Sequence, residues 1–295
     1  MLQVARLAPA LLGAEACELI EGFVRSTQDA ATGGFCDRDG EPDLYYTSFA
    51  IDALTALQAE LPAATLRPFL DAQLGRIESL DFVHRCCLAR ILSAFPGVAD
   101  ATALGQLHAA IETFRTSDGG YNETPNAETG SAYAAFLAWG AYTDHGSPPP
   151  EPERIAVALG TLASPDGSWA NDAFIPVPNV PATAAAITLY RNLRQPIPEA
   201  TPNWILGCFQ PTPEGGGFTP FPGAPMPDLL TTAVALHALD GLQAEFGGLK
   251  EPILDFIDTL WTAEGGFYGT WDDEPEELDV EYTYYGLLAL GHLAL

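Results

Sequence analysis

The sequence predicts an all-α protein in which about six helical hairpins close into a ring, inner helices enclosed by outer ones around a central cavity. Three observations predict it. A short glycine-aromatic turn recurs along the chain. A polar residue opens an apolar helix at a similar offset after each turn. Amphipathic segments occupy the intervals between them.

The turns read Gly33-Gly34-Phe35, Gly119-Gly120-Tyr121, Gly167-Ser168-Trp169, Gly216-Gly217-Phe218 and Gly265-Gly266-Phe267. Asp118, Asp166, Glu214 and Glu264 stand just before the last four. Helix openings follow at Asp43-Leu-Tyr-Tyr-Thr47, Glu128-Thr-Gly-Ser-Ala132, Asn179-Val-Pro-Ala-Thr183, Asp228-Leu-Leu-Thr-Thr232 and Asp279-Val-Glu-Tyr-Thr283. A further opening at Asp81, running to Arg85, lacks the glycine turn. From Glu128 onward the openings recur about every fifty residues, room for two helices and two loops per repeat. Each opening acid or Asn suits a helix N-cap, where its oxygen accepts a backbone N–H and its charge meets the positive end of the dipole.

The helices behind these caps, such as residues 132–142 and 183–190, are apolar nearly all round, and a helix without a polar face is buried on all sides. The segments near residues 10–26, 63–75, 99–114, 152–162, 202–209 and 249–260 are amphipathic and form the outer layer. Residues 1–295 read as one domain.

Composition narrows the function. Twelve Lys plus Arg face 39 Asp plus Glu, a formal net charge of −27, so the basic footprint of a nucleic-acid binder is missing and an anionic membrane would repel the chain. Five cysteines, two of them adjacent (Cys86 and Cys87), fit neither a disulfide framework nor a metal knuckle and point to a reducing, cytoplasmic setting. No apolar run is long enough to span a bilayer.

With the Gly-aromatic turns, Asp166-Gly-Ser-Trp169 and helices of the type Asp-x-x-x-Thr-x-x-Ala in phase along nearly the whole chain, the sequence resembles the prenyltransferase and squalene–hopene cyclase repeat superfamily. The resemblance implies an α/α toroid whose cavity holds an isoprenoid, and a length close to that of a protein prenyltransferase β subunit. It also implies a separate helical partner subunit. Protein prenyltransferases hold zinc with an Asp-x-Cys pair and a His. Laid on this chain the Asp is Asp228, but the Cys position is Leu230 and the His position Tyr282, so two of the three ligands are missing. Class II terpene cyclases protonate an alkene from a DxDD motif. Here Asp279-Val-Glu-Tyr-Thr keeps the first Asp and places Glu281 where the catalytic acid stands.

Glu281, Asp279 and Asp228 are therefore the candidate catalytic residues. A carboxyl in an apolar, electronegative cavity stays protonated near neutral pH and can act as a general acid. Helix capping and a first-turn glutamate account for the same three residues without chemistry. The candidate substrate-binding residues are Tyr45, Tyr46, Tyr133, Trp169, Phe218, Trp271 and Tyr282, whose rings can line an isoprenoid pocket and stabilise a carbocation, with Arg38 and Arg85 as the cations nearest a predicted rim. The carboxylates Asp43, Asp228, Asp279 and Glu281 could hold a magnesium ion that recruits a diphosphate. Three readings follow: an isoprenoid enzyme, prenyltransferase-like or cyclase-like; a non-catalytic toroid that binds a lipid or a partner chain; and an (α/α)6 carbohydrate enzyme with a carboxylate pair.

Overall fold

A computed structural model describes residues 1–274 and 277–295. In chain order its helices are α1 (Leu2–Ala5), α2 (Pro9–Ser26), α3 (Leu44–Ala56), α4 (Ala63–Leu74), α5 (Phe82–Ala94), α6 (Ala101–Glu112), α7 (Ala132–Thr143), α8 (Pro152–Gly160), α9 (Val180–Asn192), α10 (Thr201–Leu206), α11 (Leu229–Gly241), α12 (Lys250–Leu260) and α13 (Val280–Leu293). A small antiparallel hairpin, β1 (Phe209–Thr212) and β2 (Gly215–Phe218), separates α10 from α11. The helices fall into two compact units, Met1–Pro62 with Pro202–Leu295, and Ala63–Thr201.

In the first unit α13 lies between α3 and α11, so the first and last of the apolar helices are neighbours. α1 and α2 pack on α3 and α13, and α12 packs on β2 and α13. In the second unit α7 lies between α5 and α9, with α6 against α5 and α7, and α8 against α9. The apolar helices carry their core on almost every side, as sequence patterning requires: α11 buries Leu229, Thr231 to Leu236, Ala238 and Leu239.

Five of these helices begin where an acid or Asn was expected to cap them. Asp43, Asp81, Asn179, Asp228 and Asp279 have extended backbones and accept first-turn N–H groups. α7 departs from the expected frame. Its cap is Ser131, which accepts from Ala134 N, and Glu128 lies three residues earlier in the loop. Ser131 is as good a cap as an acid, and a Cβ at Gly130 would lie 3.0 Å from both Gly120 Cα and Tyr121 N.

One hydrogen bond explains why glycine turn and helix opening stay in phase. The aromatic N–H of the turn donates to the Thr hydroxyl one helical turn past the cap: Phe35 to Thr47 at 2.9 Å, Trp169 to Thr183 at 3.0 Å, Phe218 to Thr232 at 3.0 Å and Phe267 to Thr283 at 3.3 Å. The Thr47 and Thr283 hydroxyls in turn donate to the cap carbonyls of Asp43 and Asp279. A buried N–H without a partner would cost about 1–3 kcal/mol, so each Thr stitches a turn to the helix that follows. In the α7 repeat Ala135 occupies this place, and the stitch is missing there.

Two glycines allow close approach of backbone to backbone. Gly265 has φ +94°, and a Cβ there would lie 2.3 Å from the Leu19 carbonyl oxygen of α2. The outer helix expected through residue 209 stops at Leu206, because the chain turns into β1 and the run Gly215-Gly216-Gly217 pairs back on it. Gly215 has φ +131°, and a Cβ there would stand 2.4 Å from the Pro252 carbonyl oxygen. At the other end of the chain, the first outer helix is broken at Gly13, which has φ 76° and ψ 171°.

Candidate active site

The N-terminal ends of α3 and α13 meet in the first unit and bring together Arg38, Tyr45, Tyr46, Asp279, Glu281 and Tyr282. Asp279 is 4% exposed and works in two directions. Its Oδ1 caps α13 by accepting from Tyr282 N at 2.9 Å, and its Oδ2 accepts from Arg38 Nε at 2.8 Å and Nη2 at 2.7 Å. Burial raises the Asp279 carboxyl above the usual range, while the Tyr282 N–H and the Arg38 charge oppose that rise. Arg38 also sits 5.6 Å from the Tyr282 ring centroid, a cation–π contact.

Glu281 stands in the first turn of α13, with its Oε1 accepting from the Tyr45 hydroxyl at 2.6 Å. Burial pushes its carboxyl up to about 7; the Tyr45 hydrogen bond and Arg38 hold it down, and the Asp279 charge adds to the rise. The phenols share this environment. Burial lifts Tyr46 to about 12, aided by the Asp279 and Glu281 charges, and lifts Tyr282 to about 12, aided by Glu281 and Asp273.

Aromatic rings continue down the two helices from this pair. Tyr45 packs edge-on against Tyr46 at 5.6 Å and Phe49 at 4.9 Å, and Phe49 meets Tyr284 at 5.7 Å and Tyr285 at 5.6 Å. The result is a carboxyl raised to about 7 at the head of a run of aromatic rings.

The remaining sequence candidates lie elsewhere. Asp228 caps α11, with Oδ1 accepting from Thr231 N and Oδ2 from the Thr231 hydroxyl, both at 2.7 Å. Burial raises its carboxyl, the Thr231 bonds lower it and Asp273 raises it again. Arg85 is 5% exposed and is spent on structure: Nη1 donates to Ala110 O and Thr113 Oγ1, Nη2 donates to Glu78 O, and the guanidinium lies 5.0 Å from the Phe114 ring. Trp169 and Phe218 are fully buried under the Thr stitches, with Trp169 edge-on to Tyr190 and Phe218 to Phe209. Packing accounts for both. Trp271 is 38% exposed and donates from Nε1 to Thr259 Oγ1 on the outer helix α12. Tyr133 is half-buried in the first turn of α7, and its N–H donates to Asn171 Oδ1.

Among the described residues the family's zinc donor set does not assemble. Leu230 and Tyr282 offer no zinc ligand in the family arrangement, Asp43 is engaged by Tyr45 N and Tyr46 N, and the other carboxylates have the partners given above. Among the described residues no three His, Cys, Asp or Glu side chains converge as a metal group. No described helix is long and apolar enough to cross a membrane.

Sequence reasoning missed three features of this unit. The Arg38–Asp279 pair joins residues 241 positions apart, which no local pattern reveals. Gly269 carries the 269–273 turn across the Tyr282 ring, where a Cβ would lie 2.4 Å from the ring, and Asp273 holds that turn through Gly269 N and Thr270 N. Toward the C-terminal ends of α11 and α13, His237 Nδ1 and His292 Nε2 approach to 3.0 Å, with Asp240 Oδ2 3.4 Å from His292 Nδ1. Their late positions in two adjacent helices were the only available signal.

Helix pairs with this turn-and-cap grammar are the repeating units of an α/α toroid. The family model for the prenyltransferase alpha-alpha toroid domain matches residues 11–83 and 182–294, more than half of the chain, and the chain belongs to that family. It has the toroid fold of solved structures with little sequence in common. The type II terpene cyclase MstE from Scytonema aligns with TM-score 0.58 and 13% identity over 95% of this chain and 97% of its own. A protein from Actinoplanes gives 0.57 and 16% over 95% and 98%. The protein geranylgeranyltransferase-I of Candida albicans, solved with GGPP, gives 0.51 and 14% over 99% and 83%. No curated protein sequence matches the chain.

Proposed function

We propose that this protein is an isoprenoid-handling enzyme of the cyclase kind, in which Glu281 protonates a carbon–carbon double bond and the aromatic wall of α3 and α13 stabilises the resulting cation. The observation that carries this reading is the Glu281 carboxyl, lifted by burial to about 7 and backed by Tyr45 at the head of Phe49, Tyr284 and Tyr285. A group with that pKa is both protonated enough and acidic enough to work as a general acid near neutral pH.

In the step envisaged, the Glu281 proton forms a C–H bond at one alkene carbon and leaves a tertiary cation at the other. A neighbouring double bond closes a ring on that cation. A final C–H proton leaves to solvent or a base, and solvent re-protonates the Glu281 carboxylate. The electron-rich faces of the Tyr45, Phe49 and Tyr285 rings would stabilise the passing charge. Family membership and the likeness to a terpene cyclase support the class of substrate.

Transfer of a prenyl group to a protein thiol has less support, because the cysteine and histidine positions of the zinc set are Leu230 and Tyr282. Capture of a diphosphate also finds Arg38 already neutralised by Asp279.

The test is incubation of the purified protein in D2O with farnesyl and geranylgeranyl diphosphates and with the free alcohols. A cyclised product should carry one deuterium at the protonated carbon, and Glu281→Gln should abolish it. Stoichiometric binding without product, in both proteins, would instead identify a lipid-binding toroid.

A further inference from the structure

The bond between Tyr45 and Glu281 joins two helices whose starting points are 236 residues apart in the chain, and neither side chain needs it for capping, since Asp43 and Asp279 serve there. A carboxylic acid has two oxygens, and only one can carry the proton. The oxygen that accepts a phenol O–H is the poorer seat for it, because in a neutral carboxyl the carbonyl oxygen is a much stronger acceptor than the hydroxyl oxygen.

We propose that Tyr45 is a positioning residue for the reaction: its hydroxyl donates to Oε1 of Glu281 and so assigns the transferable proton to Oε2. This rests on the reading of Glu281 as the acid. When Oε2 gives up its proton, the same phenol stabilises the carboxylate left behind, so Tyr45 also sets the strength of the acid. The groups around Glu281 leave Tyr45 as its direct hydrogen-bond donor. Arg38 is turned to Asp279, Tyr46 and Tyr282 are phenols held neutral by burial, and on α11, along the other flank of α13, Asp228 is bound to Thr231. Phe49, beside Tyr45, is apolar.

The test reads the Glu281 proton directly. Difference infrared spectra of the full-length protein from pH 5 to 9, with the Glu281→Gln spectrum subtracted, give the carboxyl C=O band of Glu281. Its midpoint should lie at about 7 in the native protein. It should rise by about one pH unit in Tyr45→Phe, the size expected for losing a hydrogen bond to a charged group. Phe49→Leu, which disturbs the same packing but not the bond, should leave the midpoint in place or lower it by admitting water. An unchanged midpoint in Tyr45→Phe, or an equal rise in Phe49→Leu, overturns the proposal. If Tyr45→Phe fails to fold, a fluorinated tyrosine at position 45 keeps the shape and donates more strongly, so the midpoint must then fall.

Turnover completes the test. In Tyr45→Phe the loss of kcat with rising pH should move up with the midpoint, while kcat on the low-pH plateau drops because the acid is weaker. A purely structural role would lower kcat without moving the limb. Product formation with an unmoved limb rules out Tyr45 alone. A shifted infrared midpoint in a protein that makes no isoprenoid product rules out the catalytic meaning of the pair, and with it the function proposed above.

Discussion

Replacing Glu281 by glutamine should stabilise the protein at alkaline pH while removing its acid. The folded carboxyl titrates at about 7, against 4.5 for an ordinary glutamate. A folded pKa above the unfolded one means that ionising the group costs folding free energy. Stability contributed by the neutral form is complete below pH 4.5 and is lost as pH rises through 7. At pH 8 the full difference corresponds to about 3 kcal/mol, and solvent reaching this half-buried side chain reduces it to about 2 kcal/mol. Glutamine keeps the shape and a carbonyl oxygen for the Tyr45 hydroxyl but cannot ionise. Urea unfolding of both proteins at pH 4, 6 and 8 should therefore show no difference at pH 4 and a growing advantage for Glu281→Gln, reaching about 2 kcal/mol at pH 8. Parallel pH dependences in the two proteins would refute the claim that Glu281 is held neutral by its surroundings.

Other perturbations have equally definite outcomes. Thr232→Val should cost about 1–3 kcal/mol in urea unfolding, because it orphans the buried Phe218 N–H, and Thr232→Ser should recover most of that loss. Arg38→Leu should destabilise by about 2 kcal/mol at pH 8, since Asp279 stays buried without its partner, and adding Asp279→Asn should restore more than half in a double-mutant cycle. His292, buried and lowered to about 4, contributes stability that is present above pH 6.5 and lost as pH falls through 4, so His292→Gln should remove about 2 kcal/mol of acid sensitivity between pH 8 and pH 5.

Repetition made the fold legible. The glycine-aromatic turns and the capping acids state the same grammar five times, and their phase survives because one Thr hydroxyl binds turn to helix in four of those repeats. The frame slipped only where Ala135 stands in for that Thr, and the sequence then offered Glu128 as a more tempting cap than Ser131. The β-hairpin was invisible because a glycine run signals a turn but not what pairs across it. For the site, the local chemistry was readable: Glu281 and Asp279 share a helix opening, and Tyr45 and Tyr46 share another. Which opening faces which is a property of the packed fold, so the Arg38–Asp279 and Tyr45–Glu281 bonds were beyond reach. The burial of Trp169 and Phe218 beneath the Thr stitches was not legible, because a packed ring and an exposed one look alike in a string of letters. The same holds for Arg85, a cation beside a cap whose carbonyl partners Ala110 and Glu78 no local pattern reveals.

The neighbourhood of α3 and α13 has a consequence for biosynthesis. Ala63–Thr201 is one uninterrupted stretch and can mature while the ribosome is still translating. The unit built from both flanks of that stretch cannot. Its α3 leaves the exit tunnel early with an apolar side uncovered, and the helix that covers it, α13, is translated after all the others. For most of synthesis Phe49 of α3 lacks the Tyr284 and Tyr285 rings that it meets in the folded unit. A chaperone that engages the nascent chain near residues 44–56, and lets go once α13 arrives, would meet the need that this topology creates.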